Sequence, residues 1–170
     1  MATEDCQPVT VSRRIEAPAA EIFRILADPS RHPDLDGSGM LRSVVTNRVI
    51  SAVGDVFVMK MHFDRLGDYE MNNRVVEFEP SRRIAWEPEP GRGHPDAAES
   101  GTTAEKWGHR WAFDLEPDGE GATVVTEIYD CSLVSEVERQ HMDNGRMWIP
   151  SMTATLERLD EVCTAERHAG

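Results

Sequence analysis

The order of periodic segments predicts an α+β fold: a curved seven-stranded antiparallel sheet wrapped around a long C-terminal helix, with two short helices after the first strand. Three observations carry this. Alternation of apolar and polar residues marks 9–15 and then recurs in six segments between Leu41 and Leu133. Helical periodicity is confined to the region after the first strand and to the C-terminal part, so the helices are segregated from the strands. The long terminal helix has a single apolar stripe, and a helix about 10 Å wide cannot cover seven strands spaced roughly 4.8 Å apart.

Taken in order, "VTVSRRI" (9–15) alternates as a half-buried strand. In "EAPAAEIFRILADP" Pro18 suits a first helical position, Ile22, Phe23 and Leu26 share a side, and Asp28-Pro29 ends the helix. "SRHPDLDGSG" reads as a short helical turn and loop, with Asp34 and Asp36 expected in solvent. Strands are expected over 41–50, 54–64, 69–79, 82–87, 103–116 and 122–132. The connection 88–101, "PEPGRGHPDAAESG", has no apolar periodicity and is expected to be an exposed, mobile hairpin loop. "SEVE" (135–138) is a capping-box pattern opening a short helix, with a stop at Asn144-Gly145. The long helix starts near Pro150 with the stripe Met152, Leu156, Leu159 and Cys163, and its tail from Thr164 is expected to fray.

The chain has 170 residues, enough for one domain with an ordered core over about 8–166. Hydrophobic residues at 39% and charged residues at 29% fit an ordinary globular protein. A formal net charge of −13 argues against nucleic acid and anionic lipid surfaces, which recruit clustered Lys and Arg. No apolar run reaches spanning length and the start lacks signal-peptide features, so a cytoplasmic protein without integral membrane association is expected. Cys6, Cys131 and Cys163 read as reduced, small hydrophobic residues. The six histidines lack metal-ligand spacing, and no nucleotide fingerprint, Walker pattern or nucleophile elbow occurs, so no metal and no cofactor are assigned.

Four stretches together carry a family resemblance: "VTVSRRIEAPAAEIFRILADPSRHPDLDGSG", "RVVEFEPSRRIAWEPEP", "WAFDLEPDGEGATVVTEIYD" and "MWIPSMTATLERLDEV". In this order they resemble the SRPBCC or START-like superfamily with the helix-grip fold, closest to its polyketide cyclase/dehydrase branch. The resemblance implies a deep hydrophobic cavity between sheet and C-terminal helix. Its motifs specify the fold better than the activity, and no catalytic residue transfers from it.

Side-chain parity supplies the site candidates. The inner face takes Phe57, Met59, Met61 and Phe63 from one strand, Ile84 and Trp86 from another, and Trp107, Trp111 and Phe113 from a third. His109 falls between two indoles, either held by a structural hydrogen bond or facing a ligand. Glu127, Tyr129 and Cys131 share one parity, with Val124 and Ile128 on the other, so that a bulge would reverse the assignment; an enclosed Glu127 would have a raised pKa, while an ion pair with Arg74 or Arg110 is the plainer expectation. Asn73 is an inner polar group or a surface amide. The tryptophans form an aromatic box or ordinary core, and Met59, Met61, Met147 and Met152 fill adaptable walls or a solid interior.

Three functions follow. The first is binding of a hydrophobic or aromatic, lipid- or polyketide-like molecule by Phe57, Met59, Met61, Asn73, Trp86, Trp107, His109, Trp111, Tyr129, Met152 and Leu156, in a monomer or homodimer. The second is a polyketide cyclase, aromatase or dehydratase in which Glu127 or His109 removes a proton beside a ketone and Tyr129 stabilises the enolate. The third is a protein-interaction module resembling the co-chaperone activators, with the strand face or loop 88–101 as contact, which a filled interior and a contiguous exposed apolar patch would favour. Convergence of Glu127, Tyr129 and His109 on one void separates the first two.

Overall fold

A computed structural model describes residues 6–97 and 107–169. Strand β1 (Val9–Ile15) leads into α1 (Ala19–Leu26), a 3₁₀ turn at Pro29–Arg31 and α2 (His32–Leu35). Strands β2 (Leu41–Val44), β3 (Val56–Phe63), β4 (Gly67–Glu79), β5 (Arg83–Pro90), β6 (Arg110–Pro117) and β7 (Thr123–Asp130) follow, then α3 (Glu136–His141) and α4 (Ile149–Ala169). All seven strands form one antiparallel sheet in the order β1-β7-β6-β5-β4-β3-β2, so only β1 pairs away from its chain neighbours. Register shifts between Leu41 and Ser43 and between Val75 and Glu77 are the irregularities that bend a ladder.

The helices sit where their sequences place them. Pro18 is the N-cap of α1, one position before the expected first turn, and Ile22, Phe23, Ile25 and Leu26 are buried. Ser135 caps α3 by accepting from the Glu138 N–H, and its hydroxyl donates to the Glu138 carboxylate, so the N-cap half of the capping box forms. On α4 the stripe Met152, Leu156, Leu159 and Cys163 is buried throughout. Helix α4 packs chiefly on β1 and against α2, while α1 covers β6 and neighbouring central strands at one end. One apolar cluster, around Ile15, Ile22, Leu26, Val75, Val125 and Leu159, fills the α1 side. A smaller one joins Tyr129, Cys131, Val134 and Met152.

Several expectations are corrected. Strand 41–50 stops at Val44, after which Ile50 is buried and its N–H donates to the Ala27 carbonyl. Beyond Val44 the branched residues Val45 and Val49 face solvent. Phe63, at the outer end of β3, is also exposed. Strand β5 continues through Pro88 and Pro90, paired with Asn73 and Met71, into the segment expected as an exposed loop. Strand β6 pairs with β5 only as far as Trp86, so the two prolines occupy a free edge where a missing N–H breaks no ladder. The connection then packs inward, with His94 between Tyr69 and Trp107 at ring-centroid distances of 5.1 and 5.7 Å. The rest of that loop, 98–101, and the expected strand start at 103–106 lie outside the described residues. The tail of α4 is helical to Ala169. The three cysteines are free thiols, with the sulfurs of Cys6 and Cys131 3.8 Å apart.

Candidate functional site

Between the concave face of the sheet, α2 and the start of α4 lies a cavity of about 270 Å³. That exceeds the roughly 150 Å³ apolar void known to take up benzene. All four tryptophans of the chain, Trp86, Trp107, Trp111 and Trp148, line it. Strand register explains the convergence: Trp86 pairs with Trp111 across β5/β6, and Trp111 pairs with Tyr129 across β6/β7. The rings accordingly touch, Trp111 to Tyr129 at 4.4 Å, Trp111 to Trp148 at 6.0 Å and Trp86 to Phe113 at 5.8 Å between centroids.

Of the residues proposed from parity, Phe57, Met59, Met61, Asn73, Trp86, Trp107, His109, Trp111, Glu127, Tyr129 and Met152 all border this cavity. Leu156 does not. It lies one turn beyond Met152 on α4 and is buried in the solid α1-side cluster. Met147 is exposed and forms no wall. Asn73 is buried, its amide donating to the carbonyls of Phe57 and Met71 at 3.3 Å each. Trp107 and His109 precede β6 and are not part of it, because Gly108 between them has φ +91° and a Cβ there would meet the Leu133 backbone at 2.8 Å. The turn still delivers both rings to the cavity.

His109 and Tyr129 meet: Nδ1 and the hydroxyl are 2.5 Å apart, with the Met142 sulfur 3.7 Å from the same hydroxyl. Burial lowers the His109 pKa against a smaller opposing pull from Glu138, favouring the neutral imidazole. Burial raises the Tyr129 pKa, so the phenol keeps its proton. Glu127 makes no bond to this pair. It occupies the same face of β7 two residues earlier, about 7 Å along the strand. It is 5% exposed, and its Oε2 has no hydrogen-bond partner. Burial, and secondly the negative charge of Asp36, push its pKa up to about 8. The expected ion pair is not made: Arg110 bonds Glu87 at 2.7 Å and Arg74 approaches Glu89 at 4.0 Å. Both arginines have the parity of the outer face, so neither reaches an inward carboxyl.

Two ionisable residues of the cavity were not anticipated. Asp36, expected in solvent, borders it, its carboxylate accepting from the N–H groups of Ser38 and Leu41 and from the Ser38 hydroxyl. His32 is buried with Nε2 2.7 Å from the Leu26 carbonyl and its ring stacked on Trp86, and burial lowers its pKa. His32 opens the four-residue α2 and Asp36 follows it, a segment too short for periodicity to assign a facing direction.

An antiparallel sheet gripping one terminal helix around an aromatic-lined hollow defines a ligand-cavity protein of the helix-grip type. The chain belongs to the family described as polyketide cyclase / dehydrase and lipid transport, which matches residues 7–164. It is 37% identical over 128 residues to Uncharacterized protein Rv0088 of Mycobacterium tuberculosis, a match covering 74% of this chain and 49% of that protein. The chain thus spans about half the length of the curated relatives it matches. Among solved structures it is similar to protein NE0264 from Nitrosomonas europaea, with TM-score 0.67 and 15% identity over 98% of this chain and 99% of that one. It is also similar to the Aha1 dimer from Colwellia psychrerythraea, with TM-score 0.56 and 14% identity over 92% and 96% of the two chains. These structural likenesses show the fold. No described helix is long and apolar enough to cross a membrane.

Proposed function

We propose that the protein binds a hydrophobic or aromatic small molecule, lipid- or polyketide-like in build, inside this cavity. The supporting observation is the hollow itself: a concave space, open to solvent on one side, walled by tryptophans and methionines with few polar groups, the usual composition of a small-molecule site. Phe57, Met59, Met61, Trp86, Trp107, Trp111 and Met152 supply the apolar wall, and the His109–Tyr129 pair orients a ligand oxygen. Titration with Nile red, a neutral dye bright only in apolar surroundings, tests this. One saturable site is expected, weakened about tenfold by Met61→Trp, which adds bulk to a half-buried wall position. Dye fluorescence that never saturates, or that ignores the added indole, refutes it.

One observation favours a second reading, cyclase or dehydratase chemistry. A buried carboxyl with a pKa near 8 can accept or deliver a proton at neutral pH. The reaction would use Glu127 as base beside a ketone and the Tyr129 hydroxyl as donor to the enolate oxygen. Turnover of a reduced polyketide analogue with loss of water, abolished in Glu127→Gln with binding retained, would establish it. A filled interior would favour the interaction-module reading, and the cavity weighs against it.

A further inference from the structure

We propose that the cavity selects hydrophobic cations: an amine or quaternary ammonium whose head sits against Glu127 and Asp36 while its apolar body lies among the indoles. This rests on the cavity reading of the preceding section and assigns the ligand's charge.

The first observation is a buried carboxyl oxygen, Oε2 of Glu127, that borders the cavity and has no partner. An isolated carboxyl taken out of water is costly, and a positive group brought beside it removes that cost. The second is the surrounding chemistry. Phe113 lies directly across the ladder from Glu127, and Trp111 and Tyr129 form the next rung. Aromatic faces attract a desolvated ammonium, with tryptophan the strongest. The third is what the wall withholds. Among the described residues that border the cavity there is no lysine or arginine, and the two carboxyl groups there are Asp36 and Glu127. His32 and His109 are held towards their neutral forms by burial. An anionic ligand would find two acids and no cation.

A neutral ligand with a carbonyl offers the alternative, since a protonated Glu127 can donate to it. The two differ in proton flow. At pH 7 the Glu127 carboxyl is largely protonated, and an ammonium bound beside it displaces that proton to the buffer. A carbonyl ligand retains it. The other charged or titratable groups around the site are His32 and Asp36 from the α2 segment, Tyr69 from β4, His109 before β6, Tyr129 from β7, and Arg158 of α4, which donates to the Asp36 carbonyl.

Three probes with one body make the test: 4-phenylbutylamine, 4-phenylbutanol and 4-phenylbutyrate, titrated at pH 7 by tryptophan fluorescence and calorimetry. The amine is expected to bind about tenfold or more tighter than the alcohol, and the butyrate weaker than both. Glu127→Gln should erase most of the amine's advantage and leave the alcohol within about twofold. Should that variant fold poorly, the unaltered protein decides: amine binding releases roughly one proton, read from the dependence of the enthalpy on buffer ionisation. Alcohol binding as tight as the amine, butyrate binding tightest, or amine binding without proton release overturns the proposal. Nile red entering while no probe binds overturns the cation alone; exclusion of Nile red as well overturns the cavity reading.

Discussion

Glu127 makes the native state pH-sensitive in a direction opposite to most surface carboxylates. Its pKa rises from the ordinary 4.5 to about 8 on folding, chiefly because burial penalises the charged form. The folded state therefore holds the proton more tightly than the unfolded chain. The stability tied to this group is intact below pH 4.5 and is lost progressively as pH rises to about 8. A difference of about 3.5 units corresponds to about 5 kcal/mol across the whole window, of which about 3 kcal/mol is already lost at pH 7. Glu127→Gln keeps the size and removes the titration. Any cost of the buried amide is the same at every pH, and the histidines with lowered pKa values titrate alike in both proteins. Urea denaturation of both proteins at pH 4.5, 7 and 9 isolates the term. The variant's stability relative to the parent should climb by about 3 kcal/mol between the first two and about 4 kcal/mol from the first to the last. A difference that stays flat with pH would mean that Glu127 is solvated or paired, and the reasoning about its environment would fail.

Other perturbations separate wall from core. Tyr129→Phe keeps the ring and deletes the hydroxyl bonded to His109, so stability should fall by about 1 kcal/mol in thermal unfolding while affinity for an oxygen-bearing ligand falls with it. Leu156→Ala, in the solid cluster, should cost about 3 kcal/mol by denaturant titration and leave Nile red affinity nearly unchanged. Gly37→Ala places a methyl against the Ser151 carbonyl and the Ala154 side chain, wedging α4 from the α2 loop; a loss of about 2 kcal/mol or more in chemical denaturation is expected.

Much of the architecture was legible because its signals are local. The alternation of β7 is unbroken, so Thr123, Val125, Glu127 and Tyr129 share the inward face, a direction the sequence left open because Val124 and Ile128 hold the opposite parity. The stripe on α4 is equally direct, although it cannot distinguish Met152 at the cavity from Leu156 in the core one turn later. Parity placed Trp107 and His109 correctly for an indirect reason: a glycine turn, not strand pairing, carries them there. Hidden from the sequence were features fixed by tertiary context. His32 and Asp36 lie at the two ends of the four-residue α2, and α2 packing against α4 sets their direction. The lone state of Glu127 depends on both candidate arginines lying on the other face of the sheet, a direction that Arg110 beside the inward Trp111 already carries in the sequence and that the ladder register fixes.

The most direct measurement is a crystal structure of the protein soaked with 4-phenylbutanol, a neutral probe that makes no demand on the ligand's charge. Density for one molecule between Trp86, Trp111, Tyr129 and Met152, with the sheet and α4 unmoved, is the predicted result. A closed interior in which those side chains fill the space, with the probe only on the surface, would contradict the account.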